Sequence, residues 1–338
     1  MEVMGKTNKV HVVILMTAPL WIILITCLSV VLGTKSIALT TVWDAIINYD
    51  PENVDHAIII TSRIPRALGA LIVGAFLAIS GAVMQGMTRN YLASPSIMGV
   101  TDGSAFVITI CMVWMPGMSS LQMILYSMLG SLLGAGIVFG FGSLLRNGLS
   151  PVRLAIIGTV IGTFLSSISS AISTYFQVSQ NVSFWYNARL HQIDPSMLKI
   201  AIPFGIVGIL IIIFLAKSIT ILSLGEDVSV NLGQRTKLVK AMTVIAVVML
   251  TGTAVALVGK IGFVGLIIPH ITRFLVGIDY RWIIPCAGVI GGGFLALCDV
   301  LSRFINYPFE TPIGVITAFI GIPFFLYLIR SRGGEKHA

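Results

Sequence analysis

Few residues of this chain stand where they could do chemistry. Asp299, in LALCDVLSRF, lies inside an apolar run. Arg303 is four residues on and shares its helix face, so the two can pair. A carboxylate left unpaired at the centre of a membrane helix costs about 2.5–3.5 kcal/mol, and a proton relay would need further buried acids. Asp299 is the one ionisable residue this reading places inside a span, so a local ion pair and a functional acid both stay open. Arg63-Ile-Pro-Arg66 opens another apolar run. Pro65 suits a first helical turn, and the two arginines can snorkel. His270 follows Pro269 in GLIIPHITR and reads as hydrogen-bonded structure before it reads as a ligand. There is no GxSxG, no HExxH and no paired carboxylates, so no catalytic residue is assigned. Gly5-Lys6-Thr7 lacks the upstream glycine of a phosphate-binding loop. Cys27, Cys111, Cys286 and Cys298 sit in apolar runs without a CxxC pair. They read as small hydrophobes, and no metal site is assigned.

One polar stretch interrupts the apolar chain. KSITILSLGEDVSVNLGQRTKLVK, residues 217–240, holds Lys217, Glu226, Asp227, Arg235, Lys237 and Lys240 between two long apolar runs. Its alternation of apolar and polar residues, with Gly225 and Gly233 as punctuation, predicts one or two short amphipathic helices against a membrane. A solvated loop is the alternative.

The elements that must position these residues are membrane spans. Of 338 residues 56% are apolar and only 10% charged, against roughly 25% charged in soluble domains. The mean hydropathy is +0.98. At about 20 residues per span, ten runs fit: 12–32, 64–86, 96–115, 121–145, 152–175, 197–216, 238–258, 262–276, 283–302 and 312–329. The first reads as a retained span, not a cleaved signal. The prediction is a single all-α polytopic domain over 1–338. With the N-terminus inside, Lys35, Arg63, Arg66, Arg189, Lys199, Lys260 and Arg303 fall outside and the other fourteen Lys and Arg fall inside. That bias predicts both termini and 217–240 in the cytoplasm. It also explains the net charge of +8 without nucleic acid. Gly130-x-x-x-Gly134, Gly136-x-x-x-Gly140 and Gly288-x-x-x-Gly292 predict close helix approach.

Four stretches together resemble the FecCD-type permeases, the membrane subunits of ABC importers for iron–siderophores, haem and cobalamin. They are RIPRALGALIVGAFLAISGAVMQGMTRNYLASPSIMGVTDGSA (63–105), ILSLGEDVSVNLG (221–233), GKIGFVGLIIPHITRFLVGIDYRWIIP (259–285) and ETPIGVITAFIGIPFFLYLIR (310–330). The resemblance covers nearly the whole chain in order. Two positions depart from the family pattern: Tyr91 follows Asn90 where Asn-Pro-Leu-Ala is usual, and Lys260 follows Gly259 where Gly-Pro is usual.

The resemblance implies a type II importer permease in a bacterial cytoplasmic membrane, with ferric siderophore as substrate and haem or cobalamin as alternatives. It implies an ABC ATPase dimer, an external substrate-binding protein and a second permease as partners, with membrane lipid around them. No cofactor is expected on this chain, since ATP belongs to the ATPase. Coupling helices are implied at about 218–233, with Leu224, Gly225, Glu226, Asp227 and Gly233 contacting the ATPase, and Leu222 and Val228 adding apolar contact. Arg63, Arg66 and Arg303 are implied as an external cationic rim that docks the binding protein. An ion-coupled secondary transporter is the rival class and asks for buried acids and paired broken helices. A polytopic membrane enzyme asks for clustered His, Asp or Glu, and the five histidines are scattered.

Overall fold

The computed structural model describes residues 3–33, 35, 37–144, 151–186, 190, 193–307 and 309–333, and among them every regular element is helical. Seven helices are long and apolar enough to cross a membrane. They are α1 (Val3–Val31), α4 (Ile64–Thr88), α6 (Ser120–Leu144), α7 (Pro151–Tyr175), α9 (Pro195–Leu224), α11 (Thr236–Val258) and α13 (Tyr280–Ser302). Three shorter apolar helices, α5 (Val100–Trp114), α12 (Val264–Val276) and α14 (Ile313–Gly333), fill the other three apolar runs. The chain is an all-α polytopic bundle. The short helices α2 (Leu39–Ile47), α3 (Val54–Ile58), α8 (Ser179–Tyr186) and α10 (Glu226–Asn231) lie between these elements, and a π-helical turn, Ile59–Arg63, joins α3 to α4.

α4 forms the centre, packed by α9, α11, α12 and α13. α5, α6 and α7 pack together as a second layer. Without a hydrophobic drive between helices in lipid, association rests on close contact and hydrogen bonds. A methyl group at Gly81 would sit 1.9 Å from the Gly265 carbonyl oxygen, so only glycine lets α4 and α12 approach this closely. Gly130 and Gly134 play the same part against Gly103 and Gly99, as expected of that motif. So does Gly292 against the Leu71 carbonyl. Gly136 and Gly140 meet nothing, so the middle motif is no packing device among the described residues. Hydroxyls add to the close packing: Ser104 and Ser127 lie 2.6 Å apart, and Ser127 donates to the Gly252 carbonyl at 2.5 Å.

Helix ends fix the layout of the bundle. Asp194 accepts from Ser196 N at 2.9 Å and Pro195 follows it, which starts α9. α9 then runs 30 residues to Leu224, eight beyond the expected run. Ile219 and Leu222 keep its apolar face buried, and no breaker intervenes before Gly225. α1 begins on the side where His11 stacks on Trp282 at 3.9 Å, close to the end of α9, where Thr220 accepts from Tyr280 N at 3.0 Å.

Replacing Gly81 with Val should push α4 from α12 and lower stability by about 1–3 kcal/mol or more. The same change at Gly136 should leave stability within about 0.5 kcal/mol. The detergent-solubilised thermal midpoints of both variants check this, and equal shifts would refute the packing account.

Candidate functional sites at the two ends of the bundle

The first site starts from a backbone problem. The carbonyls of the last helical turn have no partner within the helix, and in lipid each orphan is costly. Arg63 and Arg303 supply the donors for α1. Arg63 Nη1 donates to the Val30 and Val31 carbonyls at 2.5 and 3.1 Å, and its Nη2 to the Lys35 carbonyl. Arg303 Nη1 donates to the Ser29 and Leu32 carbonyls at 2.6 Å each, and its Nη2 to Ser29 Oγ at 2.9 Å. The negative end of the α1 dipole favours both cations.

Asp299 joins this cap to α4. It accepts from Arg66 Nη2 at 2.8 Å and from Arg66 Nε at 2.9 Å, and Arg303 Nη2 donates to its other oxygen. Arg66 Nη1 reaches Glu310 Oε1 at 2.7 Å. Three guanidinium groups and two carboxylates thus lock α1, α4, α13 and the segment before α14.

The sequence expectation of an exposed cationic rim is corrected here. Arg63 and Arg66 are each 7% exposed, Arg303 3% and Asp299 1%. The π-helical turn winds Arg63 inward, and Arg66, one turn on, meets a carboxylate 233 residues away in sequence. The Asp299–Arg303 pair forms as the spacing allowed.

At the opposite end α9 stops at Gly225, whose φ of 148° and ψ of 146° lie in a region open essentially to glycine. This differs from the αL turn that a helix–turn–helix would use. The result is one short helix, α10, after the end of α9, and not two separate helices over 218–233. Ser229 ties α10 back to the Gly225 carbonyl at 2.9 Å, and Glu226 pairs with Lys240 at 2.7 Å. Gly233, at φ 75°, turns the chain into α11. Leu224 is 57% exposed and Leu232 66%, and Val228, Val230 and Asp227 are exposed beside them. Leu222, expected in that contact, is 1% exposed and belongs to the core. Nearby, hydrogen bonding from the Arg281 side chain holds Asp279 below the usual carboxylate range.

Two further polar sites lie between the ends. Gln85 Nε2 donates to the Leu266 carbonyl at 3.2 Å, while its Oε1 accepts from Arg273 at 2.5 Å. His270 meets Tyr91 and Phe324 edge to face. Asp102 pairs with Lys260 at 2.7 Å. The sequence reading counted Asp299 alone inside a span. Asp102 in TDGSA was legible as a second, since it lies within the 96–115 run.

Among the described residues no group of three or more His, Cys, Asp or Glu is placed to hold a metal. A many-helix apolar bundle with a buried arginine cap at one end and an exposed apolar–acidic patch at the other defines a polytopic membrane protein. The chain belongs to the FecCD transport family, whose model matches residues 21–331. It is 59% identical over 325 residues to the iron-uptake system permease protein FeuB of Bacillus subtilis, covering 96% of this chain and 97% of that one. It is 50% identical over 303 residues to the iron(3+)-hydroxamate import system permease protein FhuB of the same organism, covering 90% and 79%. The cobalamin import system permease protein BtuC of Halobacterium salinarum is 34% identical over 297 residues, covering 87% and 79%. A solved chain of a metal-chelate type ABC transporter, in an inward-facing conformation, superposes with a TM-score of 0.79 at 29% identity. It covers 95% of this chain and 99% of that one. The chain is a transport component and not an enzyme.

Asp299→Ala leaves two buried guanidinium groups without their shared carboxylate and should cost about 3–5 kcal/mol. Lys35→Ala, which removes an exposed pair with Asp55, should cost under about 1 kcal/mol. Thermal midpoints in one detergent test the contrast. A loss for Asp299→Ala no larger than for Lys35→Ala would remove the cap from the stability account.

Proposed function

We propose that this chain is the permease subunit of an ATP-driven importer that moves ferric siderophore across a cell membrane. The family and the 59% and 50% identities to iron permeases carry this reading. The lower identity to a cobalamin permease sets cobalamin behind iron chelates. A second permease and a pair of ATPase subunits complete the assembly, and the ATPases bring the nucleotide.

The observation that supports ATPase coupling is the exposed patch at the end of α9 and on α10. Leu224, Val228, Val230 and Leu232 offer apolar contact, while Asp227 and Glu226 supply acidic groups for a separate protein. Gly225 and Gly233 set the angle of this patch. In the same reading α10 and both termini are cytoplasmic and the arginine cap is external. An external binding protein then seats on the cap end. Arg63, Arg66 and Arg303 serve that docking from beneath, by fixing the helix ends whose loops form the surface, and not as free cations.

Gly225→Val should be expressed and inserted, yet lose ATPase binding or lower ATP-driven iron uptake about tenfold or more. Valine resists positive φ, while a Cβ there has space, its nearest neighbour lying 3.5 Å away. Co-purification of the ATPase and radio-iron uptake measure this; wild-type values for both would withdraw the coupling role. Orientation is tested separately. A cysteine replacing Asp227 in a cysteine-free chain should resist an impermeant thiol reagent applied outside intact cells, and rapid labelling there would invert the topology.

A further inference from the structure

α7 carries hydroxyls at Thr159, Thr163, Ser166 and Ser170, a helical stripe three to four residues apart, with Ser167 beside it. With Ser96 and Asp102 they line a groove of about 520 Å³. Thr159 and Ser167 donate to the Ala155 and Thr163 carbonyls of their own helix at 2.9 Å each, but a carboxylate does not persist against hydrocarbon. Ionisable groups at membrane depth face a bundle interior or a water-filled cavity and mark substrate pathways.

Among the described residues Asp102 is the only ionisable group lining the groove, and it is not left as a bare charge. Lys260 pairs with its Oδ1 at 2.7 Å and lies 4.9 Å over the Tyr186 ring. Tyr186 is itself held by Thr109 at 3.0 Å and by the Ala105 carbonyl at 3.2 Å. Gly162 gives the carboxylate room, since a Cβ there would stand 2.5 Å from Oδ2. Lys260 is also one of the positions where this chain departs from the usual family pattern. The wall is therefore rich in hydrogen bonds yet neutral in sum.

We propose that this groove is a station on the route of an anionic, oxygen-rich iron chelate, and that Lys260 cancels the charge of Asp102 so that the chelate is not repelled. The inference rests on the importer reading and adds the charge class of its substrate and the residues that select it. The α7 hydroxyls meet the chelate oxygens. Lys260 is a positioning residue and acts through Asp102.

The sign of the effect separates this role from a structural one. Asp102→Asn makes the wall positive, Lys260→Met makes it negative, and the double variant makes it neutral. In proteoliposomes holding the whole complex and its binding protein, uptake of a radio-iron tris-catecholate should fall far less in Asp102→Asn and in the double variant than in Lys260→Met. It should fall about tenfold in Lys260→Met. A purely structural pair predicts equal losses in both single variants and recovery in the double, and that result overturns the proposal, as does wild-type uptake in Lys260→Met. A wild-type complex that carries an uncharged iron trihydroxamate but no tris-catecholate overturns this inference alone. One that carries neither removes the importer reading with it.

A second measurement needs no substrate and survives poor folding of Lys260→Met. Thr163→Cys, with the four native cysteines replaced by Ala, is labelled by an anionic thiosulfonate reagent. The rate should rise severalfold when Asp102→Asn is added. A rate indifferent to that change shows that the groove does not feel the pair, and the proposal falls.

Discussion

The chain has to satisfy its backbone where no water can help, and the most demanding place is the end of α1. Its last carbonyls fall at membrane depth and lack helical donors. Two arginines from distant parts of the sequence supply them, and those arginines need counter-charges in turn. Asp299 meets one of them directly and ties in Arg66, and Glu310 meets Arg66. One unmet set of carbonyl groups thereby recruits four elements. Arginine suits this better than lysine, because its planar fork reaches carbonyls and a carboxylate together.

The cap leaves the middle of the bundle free to be built from small residues. α4 meets α12 and α13 through glycines, with Gly81 against Gly265 and Gly74 against Gly291. Backbones that approach so closely leave little space for polar side chains among the central helices. The hydroxyl stripe of α7 lies in the other layer instead, with Asp102 opposite. The bundle thus divides into a half packed through glycines, with the Gln85–Arg273 contact as its polar exception, and a half that keeps a polar wall.

Much of this was legible in the sequence. Eight of the ten apolar runs match their helices within four residues at each end, since hydropathy over such lengths is a strong signal, while α1 begins nine residues before its run. α9 overran its run because Ile219 and Leu222 extend a buried face through a polar-looking stretch. Gly225 was legible as a breaker, but its backbone region was not, because several conformations are open to glycine alone. The Asp299–Arg303 pair followed from i,i+4 spacing. Arg66 joined Asp299 and Glu310 only in three dimensions, since no local rule links residues 233 and 244 positions apart. The resemblance implied an external rim of arginines, whereas all three side chains are buried. Lys260 stood out as a departure and Asp102 was legible within its apolar run, but nothing in the sequence linked the two, 158 positions apart.

Pro203 lies inside α9, where a proline removes one ladder hydrogen bond and eases bending. From Pro203 to Leu224 the helix runs about 33 Å at 1.5 Å per residue. It is an uninterrupted arm that ends on the exposed patch. Swinging such an arm by about 5° at the proline carries its tip roughly 3 Å, close to the width of one side-chain contact. If α10 is the coupling element, a modest push on it would reach the other end of α9 as an angle, while the arginine cap ties the far ends of α1, α4 and α13 together.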